Sequence, residues 1–160
     1  KGVPMGGDLM AAAEGQVPSF LIQARKDPDG ANLDRIQIVK GWLDASGQTH
    51  EQVFDVSWSD ADQRTRGADG KVPSVGSSVN VREATYTNTI GATNLTAHWT
   101  DPSFDPSQKA FYYVRVLEIP TPTWLAYDRK NFNLYDEMPD KAPYTSQERA
   151  YTSPIWYNPA

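Results

Sequence analysis

The segment AFYYVRVLEIPTPTW, residues 110–124, constrains the fold of this chain more than any other stretch. It begins with aromatic and β-branched residues, which favour strands, and apolar side chains occupy both of its alternating faces. A strand of this kind is expected where both faces of its sheet are covered. The Pro-Thr-Pro that follows is expected to end this strand, because proline has no backbone N–H to donate. The segment therefore predicts a central strand at residues 110–119.

Other short stretches also alternate between apolar and polar residues, and turn signals separate them. The chain has 11 glycines and 12 prolines, which favour many turns. Residues 59–78 form the longest predicted loop, and residues 120–145 are predicted to be coil. The further predicted strands are residues 20–25, 35–42, 53–58, 79–86, 94–99 and 151–157. Short strands with turns between them predict an all-β fold, an antiparallel β-sandwich of the immunoglobulin-like type with long irregular loops.

The length of 160 residues corresponds to one domain. Residues 1–19 are rich in glycine and proline, and we predict an irregular entry segment there. Because the chain starts at Lys1 rather than at a methionine, we expect this segment to lead in from an upstream domain. Residues 20–160 are predicted to form a single β-sandwich domain.

The charge pattern disfavours two classes of partner. The net charge is −5, and neither lysine nor arginine forms a run, so we expect no nucleic-acid partner and no attraction to an anionic membrane surface. No apolar stretch is long enough to span a bilayer. The chain has no cysteine, which excludes disulfides and thiolate metal ligands and leaves the compartment open between cytoplasm and periplasm.

One acidic loop deserves comparison with calcium sites. Asp27, Asp29, Asn32 and Asp34 place oxygen-bearing side chains in a short loop, and several converging oxygens are what Ca²⁺ requires. However, Gly30 stands at the fourth position of the loop rather than the sixth, and no glutamate occupies the twelfth. Asp-Pro-Asp-Gly is also an efficient turn sequence. A plain turn is the favoured interpretation, and a weak cation site is the alternative.

The sequence contains no recognisable catalytic motif. His50 and His98 lack the HxH, HxxxH and HExxH spacings of metal sites, and both are predicted to be solvated or locally bonded. No GxSxG or Ser-x-x-Lys nucleophile signature and no phosphate-binding loop is present. We therefore predict no catalytic residue and no cofactor-binding residue in this chain.

Four residues are candidates for an interface or a structural role: Tyr113, Arg115, Trp124 and Trp156. Arg115 lies between Tyr113 and Leu117 on one face of the central strand, and a buried guanidinium needs a partner. We expect that partner to be loop carbonyls or an aspartate from another segment, with a contact to a neighbouring domain as the alternative. Three of the five tryptophans are in phase with core residues of their strands. We predict that the tryptophans belong to the core. An interdomain interface is the second interpretation, and a sugar-stacking platform is the third.

Long phrases of the sequence resemble one known family. They are ANLDRIQIVKGWLDASGQTHEQVFDVSWS (31–59), ATYTNTIGATNLTAHWTDPSFDPSQKAFYYVRVLEIPTPTW (84–124), QERAYTSPIWYNP (147–159) and the opening GVPMGGDL (2–9). They are similar to the C-terminal end of the bacterial family known as domain of unknown function 3604. Full-length members are longer, and their N-terminal portion resembles the PHP (polymerase and histidinol phosphatase) superfamily of metal-dependent hydrolases.

The resemblance implies a non-catalytic C-terminal β domain of a larger metal-dependent hydrolase. Any divalent metal would then belong to the upstream catalytic domain, and that domain would be the partner of this chain. The β domain could also mediate assembly into a homo-oligomer. A carbohydrate- or small-ligand-binding module is the alternative function. A self-contained hydrolase with an unrecognised pair of carboxylates is the third.

Overall fold

The computed structural model describes residues 2–10 and 15–159. Within these residues the chain is mostly β, with a single short helix. The elements in chain order are β1 (Asp8–Leu9), β2 (Ser19–Arg25), β3 (Leu33–Leu43), β4 (Thr49–Trp58), β5 (Asn94–Thr100), β6 (Ala110–Glu118), β7 (Thr121–Pro122), α1 (Trp124–Asn131), β8 (Thr145–Ser146), β9 (Arg149–Tyr151) and β10 (Ile155–Tyr157).

The predicted central strand is the centre of the larger sheet. The strand order is β1-β10-β6-β3-β4, and β9 also pairs with β6, beside β10. All these pairings are antiparallel except that of β1 with β10, which is parallel. A second sheet contains β2 and β5, and a third contains β7 and β8. Across the described part of the chain, the sheets do not close into a barrel.

The main core lies on one face of the larger sheet. Ile36 and Ile38 of β3 and Tyr112 of β6 project from this inner face and are almost completely buried. They pack in one cluster with the apolar side chains of the second sheet, which are Phe20, Ile22, Leu95 and Ala97. The outer face is the opposite side of the larger sheet, and because side chains alternate along a strand it carries Val39, Tyr113 and their neighbours.

An ion pair is buried within this core. Lys40 follows Ile38 on the inner face of β3, and its ammonium lies 2.6 Å from the Asp101 carboxylate. The Tyr112 hydroxyl donates to the same carboxylate at 2.7 Å. Burial raises the pKa of Asp101, but the hydrogen bonds from Lys40 and Tyr112 outweigh it, so the pKa lies below its usual value.

Five of the predicted strands are confirmed, and four other predictions need correction. Residues 79–86 are not a strand, because the backbone turns back on itself in a bridge between Asn80 and Thr85, and Ala84 has a φ of 47°. The last predicted strand is two separate strands, β9 and β10, with Pro154 between them. The entry segment contains the short strand β1, while residues 11–14 of it lie outside the described residues.

The fourth correction concerns residues 120–145, which were predicted to be coil but contain the short strand β7 and the helix α1. Its N-cap, Thr123, is extended, and the Thr123 hydroxyl donates to the Pro143 carbonyl at 2.8 Å instead of capping the helix. Arg129 and Lys130 in the last turn suit the negative end of the helix dipole. Ala126 is the only buried residue of the helix, and it packs in a small second cluster with Ala84 and Tyr144.

Candidate functional site

Four aromatic side chains form a continuous strip on the outer face of the larger sheet. We define the aromatic strip as Trp156, Phe111, Tyr113 and Tyr151. Phe111 pairs with Trp156 across β6 and β10, and their ring centroids are 5.3 Å apart. The rings of Phe111 and Tyr113 are nearly parallel, with centroids 6.3 Å apart, and Tyr113 lies 6.1 Å from Tyr151. The strip thus runs along β6, with Trp156 of β10 at one end and Tyr151 of β9 at the other.

A glycine determines how Phe111 lies. Phe111 pairs with Gly41 across β6 and β3, and the Phe111 ring occupies the space that a Cβ at position 41 would take. An aromatic ring over a glycine covers backbone that would otherwise be exposed. The Phe111 ring therefore lies close against the backbone of β3 at Gly41. In this position it is nearly parallel to the Tyr113 ring.

The aromatic strip is open to solvent, in contrast to the covered inner face. Tyr151 is 57% exposed and Trp156 is 47% exposed, while Phe111 and Tyr113 are half-buried. Val53 on β4 extends this apolar surface and is 40% exposed. Contiguous exposed apolar surface of this kind marks interaction sites in soluble proteins. The strip contains two of the predicted interface residues, Tyr113 and Trp156.

A hollow of about 570 Å³ lies at the Trp156 end of the strip. Its walls combine the indole of Trp156 with the polar residues His50, Glu51, Lys109 and Asn158. His50 is exposed, stacks on Trp42 and bonds Asp44 through Nε2 at 2.7 Å. Hydrogen bonds from Ser46, His50 and the Gln48 backbone lower the pKa of Asp44 well below its usual range.

The other end of the outer face is polar and carries Arg115. The Arg115 Nε donates to the Gln37 Oε1 at 2.7 Å, and the Gln37 Nε2 donates to Asp55 at 2.7 Å. The partner of Arg115 is therefore the side-chain amide of Gln37 on the adjacent strand β3. The expectation of loop carbonyls or an aspartate as its partner is wrong. Arg149 of β9 lies beside Arg115 on the same face, and the two line a recess of about 330 Å³.

A buried ionic cluster forms part of the wall of this recess. We define it as Asp34, Arg35, Asp55 and Arg64. Asp34 accepts from Arg35 at 3.0 Å and from Arg64 at 2.6 Å, while Arg35 also bonds Asp55 at 3.2 Å. Arg64 comes from the long predicted loop, and it also donates to the carbonyls of Ser59 and Pro73. The cluster therefore ties residues 59–73 to the edge of the larger sheet.

The four residues of the acidic loop do not come together. Asp27 caps its own turn by accepting from the Asp29 backbone, Asn32 donates to the carbonyls of Asn88 and Ile90, and Asp34 belongs to the buried ionic cluster. The Lys26 ammonium donates to the carbonyls of Asp27, Pro28 and Gly30 at 2.7–2.9 Å. The carbonyl groups of the loop thus bind the ammonium of Lys26.

The tryptophans divide between core and surface. Trp99 and Trp42 pack at the margin of the main core. A register shift between β3 and β4 places Trp58 opposite Arg35, where it contacts Arg66 and donates to the Arg64 carbonyl. Trp124 is 82% exposed on α1 and is not part of the aromatic strip. His98 is exposed on β5, as predicted.

The sequence did not reveal Phe111, Tyr151, Arg149 or the buried ionic cluster as parts of a site. The aromatic strip depends on the pairing of β6 with β9 and β10, and Asp34 and Arg64 are 30 positions apart. The available signal was the run of aromatic residues in β6 together with the aromatic residues near the C-terminal end of the chain.

Comparison with known proteins gives one family. Residues 1–159 match the family model described as "Protein of unknown function (DUF3604)". Comparisons with curated proteins and with solved structures give no significant match.

Among residues 2–10 and 15–159, no three His, Asp or Glu side chains are grouped as a metal site would require. The helix that the structure describes is too short and polar to cross a membrane.

Proposed function

Because the chain belongs to the DUF3604 family of proteins of unknown function, we propose that it is a non-catalytic β domain of a larger metal-dependent hydrolase. Its aromatic strip would pack on the catalytic domain and so hold that domain in a fixed orientation. We also infer that the larger sheet and the β2–β5 sheet form an immunoglobulin-like sandwich, since their apolar side chains share one core cluster.

The observation that carries the proposal is the exposure of the aromatic strip. Tyrosine and tryptophan are enriched at the centres of protein interfaces because their large rings bury much area with few rotatable bonds. The strip combines Trp156, Tyr151 and the half-buried rings of Phe111 and Tyr113 on one side of a sheet whose other side is already covered. A partner domain on the outer face would cover the central strand β6 on both sides.

The path of the N-terminal segment supports an upstream domain as the occupant. The strand β1 pairs with β10 next to Trp156, and the Trp156 backbone N–H donates to the Gly7 carbonyl at 3.1 Å. A domain joined ahead of this segment would be tethered beside the aromatic strip. Tethering raises the effective concentration of the partner to the millimolar range for a short linker, so even a modest surface would stay docked.

The test is to produce this chain and the catalytic domain of a longer family member as separate polypeptides and to measure their affinity by calorimetry. Trp156→Ser and Tyr151→Ser each remove a ring of the strip, and we expect each to raise the Kd by about tenfold or more, as loss of a central aromatic contact does. Trp124→Ser is the matched control, because it removes an exposed tryptophan from outside the strip.

Three results would contradict the proposal. One is a result in which Trp124→Ser lowers the affinity of this chain for the catalytic domain and Trp156→Ser leaves that affinity unchanged. Another is self-association of this chain that Trp156→Ser abolishes, because the strip would then serve a second copy. The last is hydrolysis of phosphate or carboxyl esters by the isolated chain with a divalent metal.

The hollow beside Trp156 favours carbohydrate binding as a second candidate function. Its volume of about 570 Å³ suits one or two sugar rings, with the indole for stacking and Glu51, Lys109 and Asn158 for hydroxyl groups. Titration with neutral oligosaccharides tests this candidate through the tryptophan fluorescence. A saturable change that Trp156→Ser removes would support it, and no change with any sugar would exclude it.

A further inference from the structure

We propose that the recess between Arg115 and Arg149 binds a small oxyanion, either a carboxylate or a phosphate group. This site adjoins the Tyr151 end of the aromatic strip but contains none of its four residues, and it does not depend on the proposed function. The recess has a volume of about 330 Å³, enough for a small acid. Ser74 and Gln147 also line it and add a hydroxyl and an amide to the two guanidinium groups. The paired Asp34 and Arg35 of the buried ionic cluster form another part of its wall.

The strand register places the two arginines together. Arg115 pairs with Tyr151, and Leu117 pairs with Arg149, so Arg115 and Arg149 are diagonal neighbours on the outer face. Diagonal neighbours in an antiparallel pair have Cα atoms about 7–8 Å apart, within reach of long side chains. Two long side chains at this spacing can contact one anion between them.

The nearby carboxylates are already neutralised. Asp34 accepts from Arg35, Arg64 and Gln147, and Asp55 accepts from Arg35, Gln37 and the Val72 backbone. In the buried ionic cluster two negative charges therefore meet two positive ones. Within the described residues, neither Arg115 nor Arg149 is in ion-pair contact with a carboxylate. The recess thus carries two uncompensated positive charges, although the whole chain has a net charge of −5.

The Arg115 side chain is held ready for a ligand. Asp55 accepts from the Gln37 amide nitrogen, which turns the Gln37 oxygen toward Arg115, and this oxygen holds the Arg115 Nε at 2.7 Å. Among residues 2–10 and 15–159, the Arg115 side chain bonds only through Nε, so its two terminal nitrogens keep their donors for a ligand. A planar pair of N–H donors matches the two oxygens of a carboxylate or phosphate. Fixing the guanidinium in advance lowers the entropy cost of binding.

The experiment is calorimetric and NMR titration of the chain with inorganic phosphate and, separately, with citrate at constant ionic strength. We expect saturable binding of at least one anion, with shifts centred on the backbone amides of β6 and β9. Arg149→Gln should raise the Kd by about tenfold, since a charge-assisted hydrogen bond contributes about that much. Arg115→Gln should do the same, and Arg115→Lys should rescue only part of the affinity because it restores charge without the planar pair of donors.

Arg82→Gln is the matched control, because it removes the same charge from an exposed arginine that lies over Tyr135 instead of the sheet. Binding of phosphate alone or of citrate alone would support the proposal and identify the class of anion. Arg149 is exposed, so its variant should fold even if Arg115→Gln does not. Absence of saturable binding, or equal affinity in wild type, Arg149→Gln and Arg82→Gln, would overturn the proposal.

Discussion

The pair of Lys40 and Asp101 shows how a charged residue can occupy a core position of a strand. Lys40 is 2% exposed on the inner face of β3, in phase with Ile36 and Ile38. The Asp101 carboxylate neutralises it, and Ser103 and Tyr112 provide further hydrogen bonds. Removing one partner of such a pair leaves a buried charge without compensation, which is why breaking it costs more than the pair itself contributes.

We predict that Asp101→Asn lowers the free energy of unfolding by about 3–5 kcal/mol at pH 7, the usual cost of leaving one buried partner charged. The measurement is urea unfolding followed by tryptophan fluorescence. Asp105→Asn is the control, because Asp105 caps a similar turn through Ser107 but is only half-buried and, among the residues that the structure describes, forms no ion pair. A loss of stability as large in Asp105→Asn would show that the turn matters and the buried pair does not.

The same pair predicts an acid dependence with a definite sign. The pKa of Asp101 is lower in the folded chain than its ordinary value of 3.8. Its contribution is therefore fully present above about pH 4 and is lost as the pH falls through the folded pKa. Between pH 5 and pH 2, the free energy of unfolding of the wild type should fall more steeply than that of Asp101→Asn. Equal slopes would contradict this assignment.

Residue-level features were predictable where they depend on local sequence. The exposure of His98, for example, followed from the alternation of apolar and polar residues in β5. The partner of Arg115 was not predictable, because Gln37 is 78 positions away and many polar residues could have filled that place. Long-range partners depend on the strand register, which a single sequence does not define.

At the scale of elements, buried side chains anchor the loop after β4, and Arg64 is the one that the loop itself supplies to the buried ionic cluster. Arg64 is 7% exposed, and its guanidinium bonds Asp34, Ser59 and Pro73. Polar composition predicted a loop at residues 59–78, but composition alone gave no sign that an arginine of the loop would be buried. Side-chain hydrogen bonds, and not regular secondary structure, therefore order this loop.

We predict that Arg64→Ala loosens residues 60–71, because Asp34, Ser59 and the Pro73 carbonyl lose a shared donor, while Arg35 still bonds the carbonyls of Val72 and Pro73. Limited trypsin digestion should then cleave after Arg66 or Lys71 at least about tenfold faster than in the wild type, since cleavage follows the population of the open loop. Gln63→Ala, an exposed neighbour in the same turn, should leave the rate unchanged. A wild-type rate for Arg64→Ala would mean that other contacts hold the loop.

The strands were more predictable than the helix for a physical reason. Strands β2, β3, β4, β5 and β6 each have an alternating or doubly apolar pattern, and the structure has a strand in each of these places. The helix α1 buries only Ala126, so it lacks the apolar stripe by which helices are recognised. Residues 79–86 have apolar residues at strand spacing, but Ala84 packs against α1 within a turn.

At the scale of the whole molecule, the N-terminal segment completes the larger sheet. The strand β1 covers the free edge of β10, and Leu9 packs against the main core. An uncovered strand edge exposes unpaired N–H and C=O groups, which invite pairing with other chains. This strand was not predictable, because residues 2–9 contain three glycines and a proline and have no alternating pattern.

We predict that deletion of residues 1–9 lowers the free energy of unfolding by about 1–2 kcal/mol, from the lost burial of Leu9 and the lost backbone hydrogen bonds. Urea unfolding measures the loss, and light scattering measures the self-association that the open edge of β10 should allow. Deletion of residues 1–5 keeps β1 and is the control. If both deletions have the same effect, β1 does not cover the edge in solution.

The contact between Gly41 and Phe111 limits how the outer face can change. Any side chain at position 41 would displace the Phe111 ring, and the displaced ring would no longer lie parallel to Tyr113. The shape of the aromatic strip is thus determined by a residue that contributes no side-chain atom to it. Substitutions that alter what this face recognises are therefore available at Tyr151 and Trp156, at the two ends of the strip, and not at its centre.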